Sequence, residues 1–258
     1  LLLKRKDVSI DYICEPDAAR LASAIKLVQD AKGNQPKGVK DMRQVLDDKT
    51  IDAVWIATPD HWHGPATILA CDAGKHVYVE KPMVYKIDEG HRVIQAQKKY
   101  NKVLQVGSQR VSSIGLAKAK EMLANGEIGK LNMVNAVYDR QSSIGAWEYT
   151  IPKDADASTC DWNRFIEATA KMEFDAKKFF WWRAFKEVGT GVAGDLFIHL
   201  LSGTHFMTNS KGPETIFSTG QFSHWKDGRN LPDVMSGVMQ YADTPEHPAF
   251  QLTLQVNF

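Results

Sequence analysis

The strongest constraint on this chain is an alternation. Between residues 8 and 106, short β-rich runs and helical stretches follow one another with brief connections. Residues 8–14 read as a strand stopped at Glu15-Pro16, and Pro16 suits a first helical turn because its fixed φ is already helical. A helix over 17–31 then carries Ala18, Leu21, Ile25 and Val28 on one face, with Gly33 as its stop. A short helix over 40–46 precedes the continuous apolar run 53–57, as expected of a strand covered on both faces. A helix over 65–73 ending at Gly74, a strand over 76–79, a helix over 87–100 and a strand over 103–106 complete the series. Strand–helix–strand at these loop lengths implies parallel βαβ units with right-handed crossovers.

Ligands of such sheets sit at the carboxyl ends of the strands. That directs attention to Glu15, residues 58–63, residues 80–82 and residues 107–110, expected on one edge of one sheet. Beyond Arg110 the pattern changes. A helix over 113–124 leads into residues 131–138, which alternate like a strand of a sheet open on one face. An aromatic stretch over 179–183 precedes a glycine-containing entry into a helix over 194–206, and residues 248–258 read as strand. The expected division is a partial first domain over 1–108 and a second over 109–258.

Composition removes several classes of function. The 258 residues carry 32 Lys and Arg against 31 Asp and Glu, a formal net charge of +1 with no polybasic cluster. Neither phosphate neutralisation along a nucleic acid nor attraction to an anionic membrane surface is expected from that balance. No apolar run approaches the roughly 20 residues that span a bilayer. Three scattered cysteines, Cys14, Cys71 and Cys160, supply neither a disulfide framework nor a cysteine-based zinc site.

Glu15 has two readings. An acid ending the second strand of a dinucleotide-binding fold accepts hydrogen bonds from the adenosine ribose and repels the extra phosphate of NADP, which selects NAD. Equally, an acid at a helix N-terminus is favoured by the macrodipole. The G-x-G-x-x-G turn that holds pyrophosphate in such folds is absent, and the chain opens on Leu1-Leu2-Leu3-Lys4-Arg5-Lys6, which reads as the end of an amphipathic helix. The expectation is therefore an excerpt, with a first strand and glycine loop upstream and a truncated second domain. A cytoplasmic setting is expected, with an exported form left open.

Three separated motifs occur in order: Thr58-Pro59-Asp60-His61-Trp62-His63, Ala73-Gly74-Lys75-His76-Val77 and Glu80-Lys81-Pro82-Met83. A later stretch joins Trp182-Arg183 to Gly189-Thr190-Gly191-Val192-Ala193-Gly194-Asp195-Leu196-Phe197-Ile198-His199. The ordered set resembles the glucose–fructose oxidoreductase / inositol dehydrogenase / MocA (Gfo/Idh/MocA) family. The resemblance implies a Rossmann-type doubly wound parallel sheet followed by an α+β domain with a large open, mainly antiparallel sheet, through which such proteins form homo-oligomers. It also implies NAD(P)-dependent oxidation or reduction of a sugar, polyol or related compound, with NAD favoured over NADP.

The chemistry can be argued from residue types. Hydride loss from a secondary alcohol requires removal of the hydroxyl proton, and a histidine is the usual base. Asp195 and His199 stand four residues apart and so share a helix face. Lys81, at a strand end, can stabilise alkoxide character on the reacting oxygen, while Pro82 fixes the chain after it and Glu80 orients it. His199 is therefore assigned as acid/base, Lys81 as its partner on the substrate oxygen and Asp195 as substrate anchor. Resemblance places Thr58, Pro59, Trp62 and His63 along the cofactor, and Glu80 and Lys81 beside it. Gln109 is assigned to the nicotinamide side, and Trp182 and Arg183 to the cofactor–substrate junction, where Arg183 also meets substrate. His61-x-His63 with Asp60 could suggest a metal, but no further ligand follows at a metal-site spacing, and no metal is expected. His205 reads as structural. Two other readings of the same fold remain: a glycosidase using NAD transiently, and a catalytically silent sensor.

Overall fold

The computed structural model describes residues 2–258. Its first part contains β1 (Tyr12–Cys14), α1 (Ala18–Lys32), β2 (Lys37–Val39), α2 (Arg43–Asp47), β3 (Ala53–Ile56), α3 (Asp60–Asp72), β4 (His76–Glu80), α4 (Ile87–Tyr100) and β5 (Leu104–Gly107). All strand pairs here are parallel. They form two sheets, β1-β2 and β3-β4-β5, rather than the single sheet expected. The carboxyl ends of β1 and β3 nevertheless converge, because Cys14, Pro16, Thr58 and Pro59 line one cleft.

Local chemistry accounts for most boundaries and for the departures. Asp17, not Pro16, opens α1: its carboxylate accepts from the Arg20 N–H at 2.7 Å. Gly33 closes that helix at φ 78°, a left-handed conformation in which its N–H reaches Gln29 O at 2.9 Å. The ladder is short because β2 is only three residues long: Asp11 O still accepts from Lys37 N at 2.8 Å, and residues 8–10 lie outside the strand. Helix α3 starts at Asp60, five residues before the expected Pro65. The missing N–H of Pro65 forfeits a bond to the His61 carbonyl, but an acid at the first helical position suits the macrodipole, and residues 60–64 are all buried. At the amino end only a single 3₁₀ turn, Leu2–Lys4, forms where a longer amphipathic helix was expected; Leu1 lies outside the described residues.

The core of the first part is Ile56, Trp62, Ala66, Ala70, Cys71, Val77 and Val79, contributed by the sheet and α3. Burying each larger side chain stabilises by roughly 1.5–3 kcal/mol. Lys75, in the Ala73–Val77 motif, is buried and donates to Asp48 O at 2.5 Å and Ile51 O at 2.9 Å. That motif thus staples the approach to β3.

A 3₁₀ turn, Gln109–Ser112, leads from β5 into α5 (Ile114–Ala124) and β6 (Met133–Asp139). Two short helices follow, α6 (Trp162–Ile166) and α7 (Ala176–Phe180), capped by Asp161 and Asp175. A π-helical turn over Ala193–Phe197 runs directly into α8 (Ile198–Thr208), and β7 (Thr215–Gln221), β8 (Val234–Tyr241) and β9 (Phe250–Asn257) complete the chain. The second sheet has the order β6-β9-β8-β7, parallel only between β6 and β9. One face packs on the π turn and α8 through Val192, Leu196 and Phe197 against Leu252, Leu254 and Val256. The opposite face is open and carries Met133, Val137 and Phe217, all exposed. The segment 160–188 forms a third core of Trp162, Phe165, Phe179, Phe180 and Val188, and its Cys160 bridges to Asp17 at the start of α1.

Candidate active site

The turn after β4 and the π turn before α8 meet at one carboxylate. Lys81 Nζ lies 2.5 Å from Asp195 Oδ1 and donates also to the Asp195 backbone carbonyl at 3.3 Å. Arg183 Nε donates to the same Oδ1 at 3.1 Å, with its guanidinium over the Trp182 ring at 4.0 Å. The Lys81 and Asp195 side chains are 11% and 9% exposed, so this ion pair is largely screened from water. Burial pushes the Asp195 carboxyl up, but the Arg183 and Lys81 charges outweigh it and hold the group below the usual carboxylate range. Its Oδ2 makes no hydrogen bond within the described residues, which leaves an acceptor facing the site.

The local sequence imposes this arrangement. Gly191 sits at φ 60°, a region that side chains rarely enter, and a Cβ at Gly194 would collide with Thr190 Oγ1. The glycine-rich run therefore lets the chain fold back tightly, and the widened π turn places Asp195 at its centre. Thr190 in turn donates from N and Oγ1 to Asp60 Oδ2 at 2.9 and 2.5 Å. Burial raises the Asp60 carboxyl, with the Thr190 bond opposing it. Asp60 thereby ties the start of α3 to the segment that carries Asp195.

His199 lies four residues beyond Asp195, on the first turn of α8. Its Nδ1 is buried without a partner, leaving Nε2 as the nitrogen with an open side. Burial first, and then the Lys81 charge, lower its pKa to about 4, with Asp195 opposing. The imidazole is therefore neutral at physiological pH and able to accept a proton. Lys81 and His199 come from separate parts of the fold, and the Lys81 charge acts on His199.

The residues assigned to the cofactor divide into two groups. Thr58 and Pro59 line the cleft between β1 and β3, and Thr58 Oγ1 is buried with no partner. An orphaned hydroxyl at a strand end is suited to a polar ligand, so these residues fit a nucleotide cofactor. Glu15 turns the chain into α1, Oε1 accepting from the Asp17 N–H at 3.0 Å, while burial raises its pKa. Gln109 is exposed on the turn after β5.

The second group is packed. Trp62 is 6% exposed and donates from Nε1 to Phe165 O at 2.8 Å, leaving only an edge on the cleft. His63 lies between Pro82 O at 2.6 Å and Thr58 O at 2.8 Å. It thereby clamps the strand end bearing Thr58 to the turn bearing Lys81, whose bond to Pro82 is cis. His61 lies between Val188 O and Phe165 O at 2.9 and 2.7 Å. With their nitrogens so engaged, neither histidine is a free ligand, and no group of three metal-ligating side chains occurs among the described residues. Glu80 packs toward β5, where a Cβ at Gly107 would meet Glu80 Oε2 at 3.0 Å and Tyr78 Oη at 2.6 Å. His205 bonds Tyr241 Oη at 2.8 Å. The reading by residue type passed over Thr190 and the tie to Asp60; a threonine between two glycines, opposite a buried acid, was the available signal.

Residues 1–108 match the family described as "Oxidoreductase family, NAD-binding Rossmann fold" (GFO_IDH_MocA). Inositol 2-dehydrogenase of Salmonella typhimurium is 28% identical over 147 residues, 57% of this chain and 42% of that protein. The scyllo-inositol 2-dehydrogenase (NAD(+)) of Bacillus subtilis is 38% identical over 94 residues, 36% of this chain and 28% of that protein. The matched stretches thus span less than half of these relatives. Among solved structures, levoglucosan dehydrogenase in complex with NADH and levoglucosan superposes with a TM-score of 0.65 at 22% identity, covering 95% of this chain and 57% of that one. An NAD-binding protein from Listeria innocua gives 0.70 at 21% identity, covering 99% and 61%. At these identities the superpositions show the fold. Over its first 108 residues, the chain matches the NAD-binding Rossmann part of the Gfo/Idh/MocA oxidoreductase family.

Proposed function

We propose that the protein is an NAD-dependent dehydrogenase, or a reductase in the opposite direction, acting on a secondary alcohol of a sugar or polyol. The observation that carries this reading is the convergence of Lys81, Asp195 and a neutral His199, delivered by two separate parts of the fold. Relatives named inositol 2-dehydrogenase and scyllo-inositol 2-dehydrogenase (NAD(+)) support the substrate class. NAD, when bound, supplies the hydride acceptor.

The residues of the chain do the rest. Asp195 Oδ1 fixes the Lys81 ammonium, while Oδ2 accepts a substrate hydroxyl and sets its orientation. Lys81 donates to the reacting oxygen and stabilises the negative charge that grows there as the proton leaves. His199 takes that proton at Nε2 and returns it in the reverse reaction. Thr58, Pro59, Glu15 and Gln109 line the cofactor side, and Trp182 with Arg183 joins the two halves of the site. The protein works as a homo-oligomer joined across the open face of the second sheet, where Phe217 is 68% and Val137 54% exposed; light scattering of the purified protein would show a dimer or larger.

The test is absorbance at the NADH wavelength on a panel of sugars, polyols and their glycosides. Net NADH from a free polyol, reduced about 10²- to 10³-fold in Lys81→Met, is the expected result. Glycoside cleavage without net NADH would replace this reading with the transient-oxidation glycosidase. NAD binding without turnover on any member, unaffected by Lys81→Met, would leave a sensor.

A further inference from the structure

We infer that the sugar or polyol taken by this site is anionic, its carboxylate or phosphate held by Arg110 and Arg140 beside Tyr138. This rests on the dehydrogenase reading and adds the charge of the substrate to it.

Three elements bring these residues to the site. Arg110 belongs to the 3₁₀ turn after β5, and that turn packs on α8. A Cβ at Gly203, one helical turn past His199, would stand 3.9 Å from the Arg110 Cβ. Tyr138 ends the core-facing row of β6, and Arg140 follows the strand. The two guanidinium carbons lie 5.7 Å and 5.3 Å from the centre of the Tyr138 ring.

Two uncompensated charges share one ring here. Arg43, Arg164, Arg183 and Arg229 each have a carboxylate within salt-bridge distance. Among the described residues, Arg110 and Arg140, like Arg20 and Arg92, have none, and only Arg110 and Arg140 lie together over the same ring. Two like charges held around one ring without a counter-ion repel each other, and an anion between them relieves that repulsion. Arginine is the side chain suited to this task, since its planar fork matches two oxygens of a carboxylate or phosphate. Both charges also act on His199, after burial and Lys81, in keeping its pKa low. They therefore lie within Coulombic reach of His199, with Arg110 open to solvent. Near that centre, Lys81 and Arg183 are already paired with Asp195, so Arg110 and Arg140 are left for an incoming anion.

The experiment is calorimetric titration of the protein with D-glucuronate, D-glucose 6-phosphate and D-glucose, with and without saturating NAD, beside NADH production from the same compounds. The variants are Arg110→Gln and Arg140→Gln, with Arg5→Gln as control, because Arg5 is exposed and paired with Asp7. Melting curves establish that each is folded. Tighter binding of either anion than of glucose supports the inference, and the better of the two identifies the group as carboxylate or phosphate. Each site variant should lower the anion-to-glucose affinity ratio about 10- to 100-fold, the usual worth of a hydrogen bond to a charged group, and Arg5→Gln should leave it unchanged. Equal binding of all three compounds, or a ratio that survives both site variants, overturns it. So does anion binding abolished by NAD, which would give the arginines to the cofactor phosphates. Turnover of neutral polyols with no anion preference defeats only this inference. No NADH from any compound defeats the dehydrogenase reading and leaves the titration to decide the anion site.

Discussion

Two helix starts in this molecule carry histidines, and they treat them in opposite ways. At the start of α3, His61 and His63 are buried and every ring nitrogen lies within 2.9 Å of a backbone carbonyl. At the start of α8, the His199 ring makes no hydrogen bond among the described residues and its Nδ1 is buried bare. An unsatisfied buried polar atom costs about 1–3 kcal/mol, so the fold tolerates at α8 what it avoids at α3. The difference separates two tasks. His61 and His63 join chain segments that must not move: His63 holds the Thr58 and Lys81 turns together, and His61 holds the 165–188 segment. His199 is left with an open nitrogen at a site that already holds an ammonium and a carboxylate.

The sharpest way to break this contrast is to exchange the consequences. His199→Asn should lower kcat by about 10²- to 10⁴-fold, the usual contribution of a positioned acid or base, with little loss of melting temperature, because no bond is removed. His63→Ala should do the reverse. It removes the single N–H that a neutral imidazole donates to Pro82 O or Thr58 O, which strands one carbonyl at about 1–3 kcal/mol and opens a cavity, so the melting temperature falls while kcat per folded molecule is largely kept. Comparable activity losses in both variants, with matching losses of stability, would mean that His199 is merely another packing residue.

How much of this was readable in advance follows the same division. Wherever a local rule acts alone, the sequence reading holds. Helix α4 was expected over 87–100 and spans Ile87–Tyr100, and Gly33 stops α1 as its position suggested. The strand ends bearing Thr58 and Lys81 were legible from the apolar runs before them, and the i,i+4 spacing of Asp195 and His199 from the glycine-rich entry. Partnerships across the chain were not legible. Nothing local shows that His61 meets Phe165, over one hundred residues away, or that Asp60 receives Thr190. That Trp62 Nε1 would bond Phe165 O was equally hidden, because sequence gives type and spacing but not which neighbour covers the ring. Strands β7 and β8 escaped notice for a related reason: β7 is exposed along nearly its whole length, so its residues carry no strong two-residue period. The expected single sheet failed because strand pairing, like every long-range contact, is decided by what lies beside each edge.

The finest test of the contrast is pH. Burial and the Lys81 charge lower His199 from an ordinary value near 6.5 to about 4. The neutral base therefore predominates above about pH 4, and the acid limb of kcat/KM should fall near 4 rather than near 6.5. Stability follows the same sign: the unfolded chain takes up this proton near pH 6.5 and the folded chain only near 4. The contribution of His199 to folding is then complete above 6.5 and is lost progressively as pH falls through that window. Burial also lowers His61, although its two carbonyl partners pull the other way, so His61 adds to the same acid loss of stability without touching the activity limb. Titration of the histidine ring protons by NMR separates the two, and His199→Asn should remove one resonance and the acid limb together. An acid limb near 6.5 that survives in His199→Asn would assign the proton transfer to another group and return α8 to the same role as α3.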